Sequence, residues 1–303
     1  MSGPRGHQDY SHDLLVHDSD GELVEATRDF VEQGLRSGGQ VLVHSTEPQV
    51  ELLRDVLGVH PRLEYALDKE LYQAPMRTLF GYQQKLADAD DTPVWVTGTV
   101  PLGRNGAEQA AWARYESVVN EALGAFPFRA LCTYDTRKVP ASVVAAARAT
   151  HPCSGRAYVD PSAFLLHPLA GVPQPPSTAP SWRAVLADLD DLPGMRRGVK
   201  AAASRHSAAL QQSIEEFVVA VNEVAANGLV HGAPPVRVTL WADITTLTSQ
   251  VVDSGAGSLN SLTGFRYPAE SEPMGLWATR QLVDDMFISN APDGGCQVLL
   301  IKD

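Results

Sequence analysis

The stretch NEVAANGLVHG, residues 222–232, places polar side chains at regular intervals in an otherwise apolar helical pattern. Glu223, Asn227 and His231 are four residues apart, so an α-helix brings all three to one face. A carboxylate, an amide and an imidazole on the same face indicate a site rather than a solvated surface. We therefore expect this helix to form one wall of a binding or catalytic site.

The composition is that of an acidic globular protein with more than one domain. The chain has 303 residues, whereas single hydrophobic cores stop growing at roughly 250–300 residues. A net charge of −12 argues against binding nucleic acid directly through its phosphates. The three cysteines, Cys132, Cys153 and Cys296, form no CxxC pair, so neither a disulfide framework nor a zinc ribbon is predicted.

No segment has the pattern of an export signal or a membrane span. Residues 1–13, MSGPRGHQDYSHD, contain no apolar core of a signal peptide. No stretch approaches the roughly 18–20 consecutive apolar residues that cross a bilayer. We expect a soluble, cytoplasmic protein without a membrane partner.

Strand and helix patterns alternate through the first half of the chain. The predicted strands are 13–18, 40–45, 63–67, 93–100 and 128–135, and the predicted helices are 22–39, 47–58, a segment within 75–88, 106–127 and 140–152. Repeated β-α units with apolar strands predict a doubly wound, mainly parallel sheet with helices on both faces.

A proline-rich segment interrupts this alternation. Residues 167–182, HPLAGVPQPPSTAPSW, contain five prolines and favour neither a helix nor a central strand. We predict a semi-rigid linker at 166–181, which separates a first domain at 10–165 from a second at 182–303.

The second half has a different order of elements. Two helices, at about 191–206 and 211–231, precede a predicted hairpin of strands 235–243 and 246–255. A Gly/Ser/Pro-rich loop (254–273) and a helix (275–285) follow, and a second hairpin (286–302) turns at Asp-Gly-Gly. Paired helices with antiparallel strands predict an α/β sandwich.

Two further motifs follow the opening stretch in the chain. VVDSGAG (251–257) leaves a predicted strand, and GLWATRQLVDD (275–285) starts a helix after the irregular loop. In this order the three segments resemble the N, G1 and G2 boxes of the GHKL ATPases, which have the Bergerat fold. The resemblance covers residues 182–303 and is closest to the anti-sigma-factor serine kinases common in actinobacteria.

This resemblance implies ATP and Mg²⁺ as ligands of the second domain. Mg²⁺ prefers oxygen ligands and phosphates, and Asn227 can supply one such oxygen. Glu223, one turn earlier, can accept a proton from an attacking hydroxyl. Asp253 can accept a hydrogen bond from the adenine amino group. The remaining cofactor-binding positions are Gly255 and Gly257, expected to adopt positive φ beside the nucleotide, and Gly275 and Leu276 at the start of a helix that can face phosphate.

The second box departs from the pattern of these kinases. Glu272, Pro273 and Met274 stand where such kinases carry glycine or arginine, which leaves Gly275 as the single glycine of the box. Nucleotide binding without phosphoryl transfer is therefore left open. His231 has no catalytic role in this interpretation, because a histidine at a helix C-terminus is favoured by the helix dipole, with Gly232 as the C-cap.

The first domain resembles the MEDS sensory domain, which has a RecA-like fold. The residues that carry the resemblance are SHDLLVHDSDGELVEATRDFVEQGLRSGGQVLVHSTE (11–47), WARYESVVNEAL (112–123) and ALCTYDTRKVPASVVAAARATHP (130–152). The family's role is the sensing of ligands or signals. Nucleotide binding is not expected here, because the turn after QVLVH reads STEPQ and has no glycine or lysine to hold phosphate.

Eight residues are candidates for contacting the sensed signal: His12, His44, Trp95, Glu116, Cys132, Tyr134, Asp135 and His151. Ligands of doubly wound sheets bind at the carboxyl ends of the strands, where His44, Thr97, Thr99 and Asp135 are expected. Trp95 and Cys132 are more typical of a core than of a ligand site, and Glu116 is also typical of a surface. The histidines at 7, 12 and 17 lack a helical metal-binding spacing, so the sequence favours neither a zinc site nor a redox switch at Cys132 or Cys153.

The sequence thus predicts a signal-responsive regulator of the anti-sigma type. The first domain would sense a small molecule or a protein, and the second would bind a sigma factor and a STAS-type antagonist. ATP-Mg²⁺ would serve to phosphorylate a serine or threonine of the antagonist, and a homodimer is left open. The alternatives are a catalytically inactive binding switch and the ATPase half of a sensor histidine kinase. The latter is disfavoured because no dimerisation helix with a phosphoacceptor histidine precedes the ATPase motifs. The sole candidate, His206, is expected to be an exposed helix residue.

Overall fold

The computed structural model describes residues 9–72, 74–99, 106–151, 173–206, 210–211, 213–257, 260, 262–268 and 274–303. The chain divides into two compact units, Met1–Gly171 and Val172–Asp303. Residues 166–172 of the predicted linker lie outside the described residues, as do Cys153, Glu272 and Pro273.

The first unit is built from alternating strands and helices. Its strands are β1 (Ser11–His17), β2 (Gln40–Ser45), β3 (Leu63–Leu67), β4 (Val94–Gly98) and β5 (Phe128–Asp135). Its helices are α1 (Asp20–Arg36), α2 (Glu47–Leu57), the short α3 (Asp68–Leu71), α4 (Pro75–Ala87), α5 (Gly106–Leu123) and α6 (Ala141–Thr150). The five strands form one parallel sheet in the order β1-β5-β4-β2-β3, which confirms the predicted doubly wound fold.

The two faces of this sheet carry different side chains. One face packs Val41, Val43 and Trp95 against Phe30 and Val31 of α1. Alternate residues of β1 and β5 point to the opposite face, where Tyr134 packs with Val144 and Ala147 of α6. His12 and Cys132 belong to this second face, because in the parallel register His12 is opposite Ala130 and Leu14 is opposite Cys132.

The second unit is a sandwich of one antiparallel sheet and three helices. Its strands are β6 (Trp182–Leu186), β7 (Val236–Ala242), β8 (Leu247–Val252), β9 (Asp285–Asn290) and β10 (Cys296–Lys302). Its helices are α7 (Leu192–His206), α8 (Ile214–His231) and α9 (Gly275–Leu282). The strand order is β6-β7-β8-β10-β9, and both predicted hairpins are present.

Strand β6 is the main element that the sequence pattern did not predict. It directly follows the proline-rich segment and is an edge strand, with Arg183 exposed and Val185 65% exposed. Strand β7 also holds the residues just before β6. Ser181 N donates to Leu240 O (2.8 Å), and Trp241 Nε1 donates to Thr178 O (2.9 Å). The last residues of the predicted linker are therefore fixed to β7.

One core fills the space between this sheet and its helices. Leucine, valine and methionine side chains of α7 and the strands surround Phe217 of α8, which is fully buried. Helix α8 is apolar around most of its surface because it contacts α7, α9 and three strands. The polar residues Asn227 and His231 interrupt this pattern near the carboxyl end of the helix.

The packing of α1 on the first sheet predicts a steric limit at Gly34. A Cβ at this position would lie 2.8 Å from Val41 Cγ2 and 3.0 Å from Trp95 Cγ. We expect Gly34→Ala to destabilise the first unit by about 1–3 kcal/mol, the usual cost of overpacking. The control is Gly21→Ala in the same helix, where nothing lies within 4 Å of the added Cβ. Equal unfolding midpoints for the two variants in urea would contradict this packing.

Candidate functional site

Helix α8 presents its polar face to a cavity of the second unit. Asn227 and His231 line the cavity. Glu223 lies one turn earlier and reaches the first residue of α9, because a Cβ built on Gly275 would be 3.1 Å from Glu223 Oε2. Asn222 faces away from them and accepts a hydrogen bond from Arg196 Nη1 of α7 at 2.8 Å. The three residues spaced by four thus lie on one side, as the sequence predicted.

The Asp253 carboxylate is fixed at the end of β8 and is 7% exposed. Its Oδ1 accepts hydrogen bonds from the backbone N–H groups of Gly255 (2.8 Å) and Cys296 (3.2 Å). No described residue donates to Oδ2, and Asp253 lines the cavity. Asp253 therefore has one oxygen held by the backbone and one available to a ligand.

Gly232 allows the end of α8 to lie directly against this carboxylate. A Cβ at Gly232 would be 2.5 Å from Asp253 Cγ and 2.7 Å from Oδ2. Gly232 occupies the predicted C-cap position, but its φ of −91° is open to any residue. The close approach to the carboxylate leaves no space for a side chain here.

The two glycines of the DSGAG segment have different backbone conformations. Gly257 has a φ of +66°, and a Cβ there would be 2.7 Å from Asn290 Oδ1. Gly255 is not among the glycines with positive φ, so the expectation of positive φ at this position is wrong. A Cβ at Gly255 would be 3.1 Å from Asp253 Oδ1, so a close approach to the carboxylate explains this glycine.

The cavity has a volume of about 430 Å³, within the roughly 300–1,000 Å³ typical of small-molecule sites. Most of its wall is apolar, formed by Val224, Val251, Leu276, Ile288 and Val298. The polar side chains that line it are Asn227, His231, Asp253, Asn260 and Thr263. Such a site takes a flat or bulky apolar group that carries a few polar atoms.

Arg280 was not recognised as a site-forming residue from the sequence. It is 4% exposed, and its guanidinium lies 3.7 Å from the centroid of the Phe265 ring. Its Nε donates to Thr263 O (2.9 Å) and its Nη1 donates to Met286 O (2.8 Å). Arg280 thereby attaches residues 262–265, including the cavity residue Thr263, to strand β9. A single arginine in an amphipathic helix gives no sequence signal for this role.

Three candidate residues of the first unit have structural partners. Asp135 accepts from Arg137 Nε (2.8 Å) and Nη2 (2.7 Å), and these bonds hold the pKa of its carboxyl well below the usual value. His44 contacts Asp68 Oδ1 (2.9 Å) and the Tyr72 hydroxyl (3.0 Å). Trp95 belongs to the core. These contacts leave no evident role in ligand binding.

Four other candidates converge on the opposite face of the same sheet. The ligand atoms of His12, Glu116, Cys132 and His151 all lie within 4.8 Å of one another. Glu116 is 3% exposed, so the alternative of an ordinary surface charge is wrong. Burial lowers the pKa of both imidazoles to about 4 and raises the pKa of the Glu116 carboxyl. Both histidines are therefore neutral near pH 7.

The two units correspond to two known domain families. Residues 11–152 match the model of MEDS, the methanogen/methylotroph, DcmR sensory domain. Residues 185–302 match the model of the histidine kinase-like ATPase domain. The chain joins a MEDS domain to a kinase-like ATPase domain. No curated protein matches the sequence.

This composition is that of a signalling regulator with a sensory domain and a nucleotide-binding output domain. ATPase domains of this kind bind a nucleotide, usually with Mg²⁺. Within the described part of the chain, no helix combines the length and apolarity needed to cross a membrane.

The contact between Gly232 and Asp253 leads to a test of the ATPase cavity. Gly232→Ala inserts a methyl group against the carboxylate, so either Asp253 or the end of α8 must move. We expect about a tenfold or greater loss of ATP affinity in calorimetry, since a hydrogen bond to a charged group contributes about 1.5–3 kcal/mol. The control, Gly194→Ala in α7, places its Cβ 4.0 Å from Arg197 Nη2 and should bind normally. If Gly232→Ala also binds ATP normally, ATP binding does not depend on this position of the Asp253 carboxylate.

Proposed function

We propose that the protein is an ATP-Mg²⁺-binding regulator of the anti-sigma type. Its MEDS domain receives a small-molecule or protein signal. Its ATPase domain binds a sigma factor and a STAS-type antagonist, and phosphorylates a serine or threonine of the antagonist. The observation that carries the proposal is the Asp253 carboxylate, which lines an apolar cavity with one oxygen held and the other available.

The cavity fits the adenine end of ATP. Adenine is flat and largely apolar, and its exocyclic amino group is a hydrogen-bond donor. The apolar wall of Val251, Ile288 and Val298 can pack against the ring, while Asp253 Oδ2 accepts from the amino group. The absence of a side chain at Gly232 keeps this oxygen in place.

The phosphate end would lie between α8 and the start of α9. Asn227 lines the cavity, and its Nδ2 would be 4.0 Å from a Cβ placed on Gly275. The Asn227 side-chain oxygen is a suitable Mg²⁺ ligand, and the N–H groups at the start of a helix suit phosphate. When bound, ATP-Mg²⁺ supplies the transferable phosphoryl group and neutralises its charge.

Glu223 has the position expected of a proton acceptor. It is one helical turn before Asn227, half-buried, and directed towards Gly275 at the start of α9, where the phosphates would lie. A serine or threonine hydroxyl entering there must lose its proton as it attacks, and a carboxylate within hydrogen-bond reach can accept it. Glu223 would thus act in transfer and not in nucleotide binding.

The alternatives differ in what happens after ATP binds. A binding switch would still bind ATP-Mg²⁺ through Asp253 and Asn227 but would transfer no phosphoryl group. The single glycine of the second box is consistent with this alternative. The histidine kinase alternative requires a dimerisation helix with a phosphoacceptor. His206 instead ends α7, whose Met195, Val199 and Ala202 are buried in the core of the ATPase domain. This position disfavours a histidine kinase.

The first functional prediction concerns Asp253→Asn. The change exchanges the charged acceptor for an amide, and we expect ATP affinity to fall by about 10–150-fold, equivalent to about 1.5–3 kcal/mol. The control is Asp293→Asn, an equal change of charge in the exposed β9–β10 turn, where asparagine before glycine is also favoured. Calorimetry that detects no ATP binding by the wild type would reject the proposed function itself.

The second functional prediction separates Mg²⁺ binding from phosphoryl transfer. Asn227→Ala should abolish the Mg²⁺-dependent part of ATP binding, whereas Asn222→Ala, on the other side of α8, should not. Glu223→Gln should bind ATP normally and slow phosphorylation of a STAS-domain antagonist by about 10²–10⁴-fold.

The control for Glu223→Gln is Glu215→Gln, an exposed residue in the first turn of α8. Unchanged transfer by Glu223→Gln would exclude Glu223 as the base. If the wild type binds ATP and phosphorylates no antagonist, the binding switch is the better description.

A further inference from the structure

The MEDS domain buries one carboxylate and two imidazoles, whose chemistry does not suit an apolar core, beside a cysteine. His12 is 1% exposed, Glu116 is 3% exposed and His151 is fully buried. Cys132 lies beside them on β5, with its Sγ 3.4 Å from His12 Nε2. They come from four places in the chain: β1, α5, β5 and the residue after α6. Burying a carboxylate and two imidazoles is costly unless each polar atom finds a partner.

The orientation of His12 is fixed from outside the cluster. Its Nδ1 lies 3.3 Å from Asn120 Oδ1. The amide of Asn120 is itself oriented, because Oδ1 accepts from the Tyr10 hydroxyl (2.8 Å) and Nδ2 donates to Thr150 O (3.0 Å). An oxygen opposite Nδ1 places the ring proton there. The Nε2 lone pair of His12 therefore points into the cluster.

His151 is oriented in the same way by a different acceptor. Its Nδ1 lies 2.6 Å from the carbonyl oxygen of Ala147, one turn earlier in α6. Nδ1 therefore carries the proton and Nε2 does not. The two imidazole rings are 4.0 Å apart between centroids. Both present an unprotonated nitrogen to Glu116, whose Oε2 lies 3.3 Å from His12 Nε2 and 3.6 Å from His151 Nε2.

Protons alone do not satisfy this arrangement. The thiol of Cys132 can donate to His12, but a protonated Glu116 is then 3.6 Å from His151 Nε2, too far for an O–H···N bond. His151 Nε2 and both Glu116 oxygens are buried and make no hydrogen bond of good geometry, although the Tyr134 hydroxyl is close enough to Glu116 to favour its charged form and so oppose the rise in its pKa. No described lysine or arginine forms an ion pair with Glu116. A cation between the four groups would satisfy all of them.

We propose that His12, Glu116, Cys132 and His151 bind a divalent transition-metal ion of the Zn²⁺ type inside the MEDS domain. The donor set of two imidazole nitrogens, one carboxylate oxygen and one thiolate sulfur suits Zn²⁺, which accepts all three donor types. On binding, Cys132 releases its thiol proton to solvent and the other three groups coordinate through lone pairs.

Three of the separations between ligand atoms match those around a tetrahedral ion. Bonds of about 2.0–2.3 Å to Zn²⁺ give separations of about 3.3–3.8 Å between neighbouring ligand atoms. Three contacts of the cluster, at 3.3, 3.4 and 3.6 Å, are in this range, and no pair exceeds 4.8 Å. The hydrogen bonds from Nδ1 to Asn120 and Ala147 are of the kind that orient metal-binding histidines.

A small cavity of about 20 Å³ adjoins the cluster and is lined by His12, Glu116 and Cys132 together with His44 and Gly98. A volume of this size holds one water molecule. Four protein ligands make a closed site, so the ion is expected to act mainly by holding β1, β5, α5 and α6 together.

The test uses the full chain. After reconstitution with Zn²⁺ and removal of free metal, elemental analysis should find about one ion per chain. With Co²⁺ instead, a sulfur-to-cobalt charge-transfer absorption band should appear, together with the visible bands of a tetrahedral ion. Cys132→Ser should abolish the charge-transfer band, and Glu116→Gln should weaken the affinity at least tenfold.

The matched control is Cys296→Ser, which changes the other described cysteine and should keep the ion and the charge-transfer band. Circular dichroism identifies variants that fail to fold. If Cys132→Ser fails to fold, the near-isosteric Glu116→Gln provides the second measure. Failure of the wild type to retain Zn²⁺ or Co²⁺, or an unchanged cobalt spectrum in Cys132→Ser, would overturn the proposal. Neither result depends on whether the ATPase domain binds ATP.

Discussion

The carboxylate of Asp253 lies where three segments of the ATPase domain meet, and each segment fits only because it lacks a side chain there. Gly232 ends α8 against the carboxyl carbon, Gly255 donates to Oδ1, and a Cβ at Gly295 would come within 2.1 Å of the Asp253 carbonyl oxygen. The glycines at these positions thus serve one packing constraint. A side chain at any of them would press on Asp253 and alter the polar end of the cavity.

Arg280 fixes the part of the cavity wall that regular secondary structure does not. Residues 262–265 have no strand partner, so their position depends on the hydrogen bond from Arg280 to Thr263 and on the Phe265 ring beneath the guanidinium. A buried arginine is stable here because backbone carbonyls from two segments accept its N–H groups. Arg280 thereby connects the loop residue Thr263 to the strand that carries the cavity residue Ile288.

The sequence predicted most of the fold because the strands and helices carry strong periodic patterns. The strands Gln40–Ser45 and Phe128–Asp135 have the predicted bounds, since glycine and proline mark their ends. Strand β6 was missed because its exposed edge gives only a short alternating pattern after the prolines. In the ATPase domain, the spacing of four residues predicted that Glu223, Asn227 and His231 share one face of a helix. The positive φ predicted for Gly255 was wrong, because a sequence does not distinguish a steric from a conformational reason for glycine.

The cluster in the MEDS domain has no such local pattern. His12, Glu116, Cys132 and His151 are separated by 104, 16 and 19 positions in the chain, and only the parallel sheet order brings β1 beside β5 and under α5 and α6. Each residue taken alone is an ordinary core or surface residue. What distinguishes them is that Asn120 and Ala147 orient both imidazoles towards a buried carboxylate that pairs with no described lysine or arginine. A fold does not keep such an arrangement for packing alone, because apolar residues of similar size would be more stable in the same space.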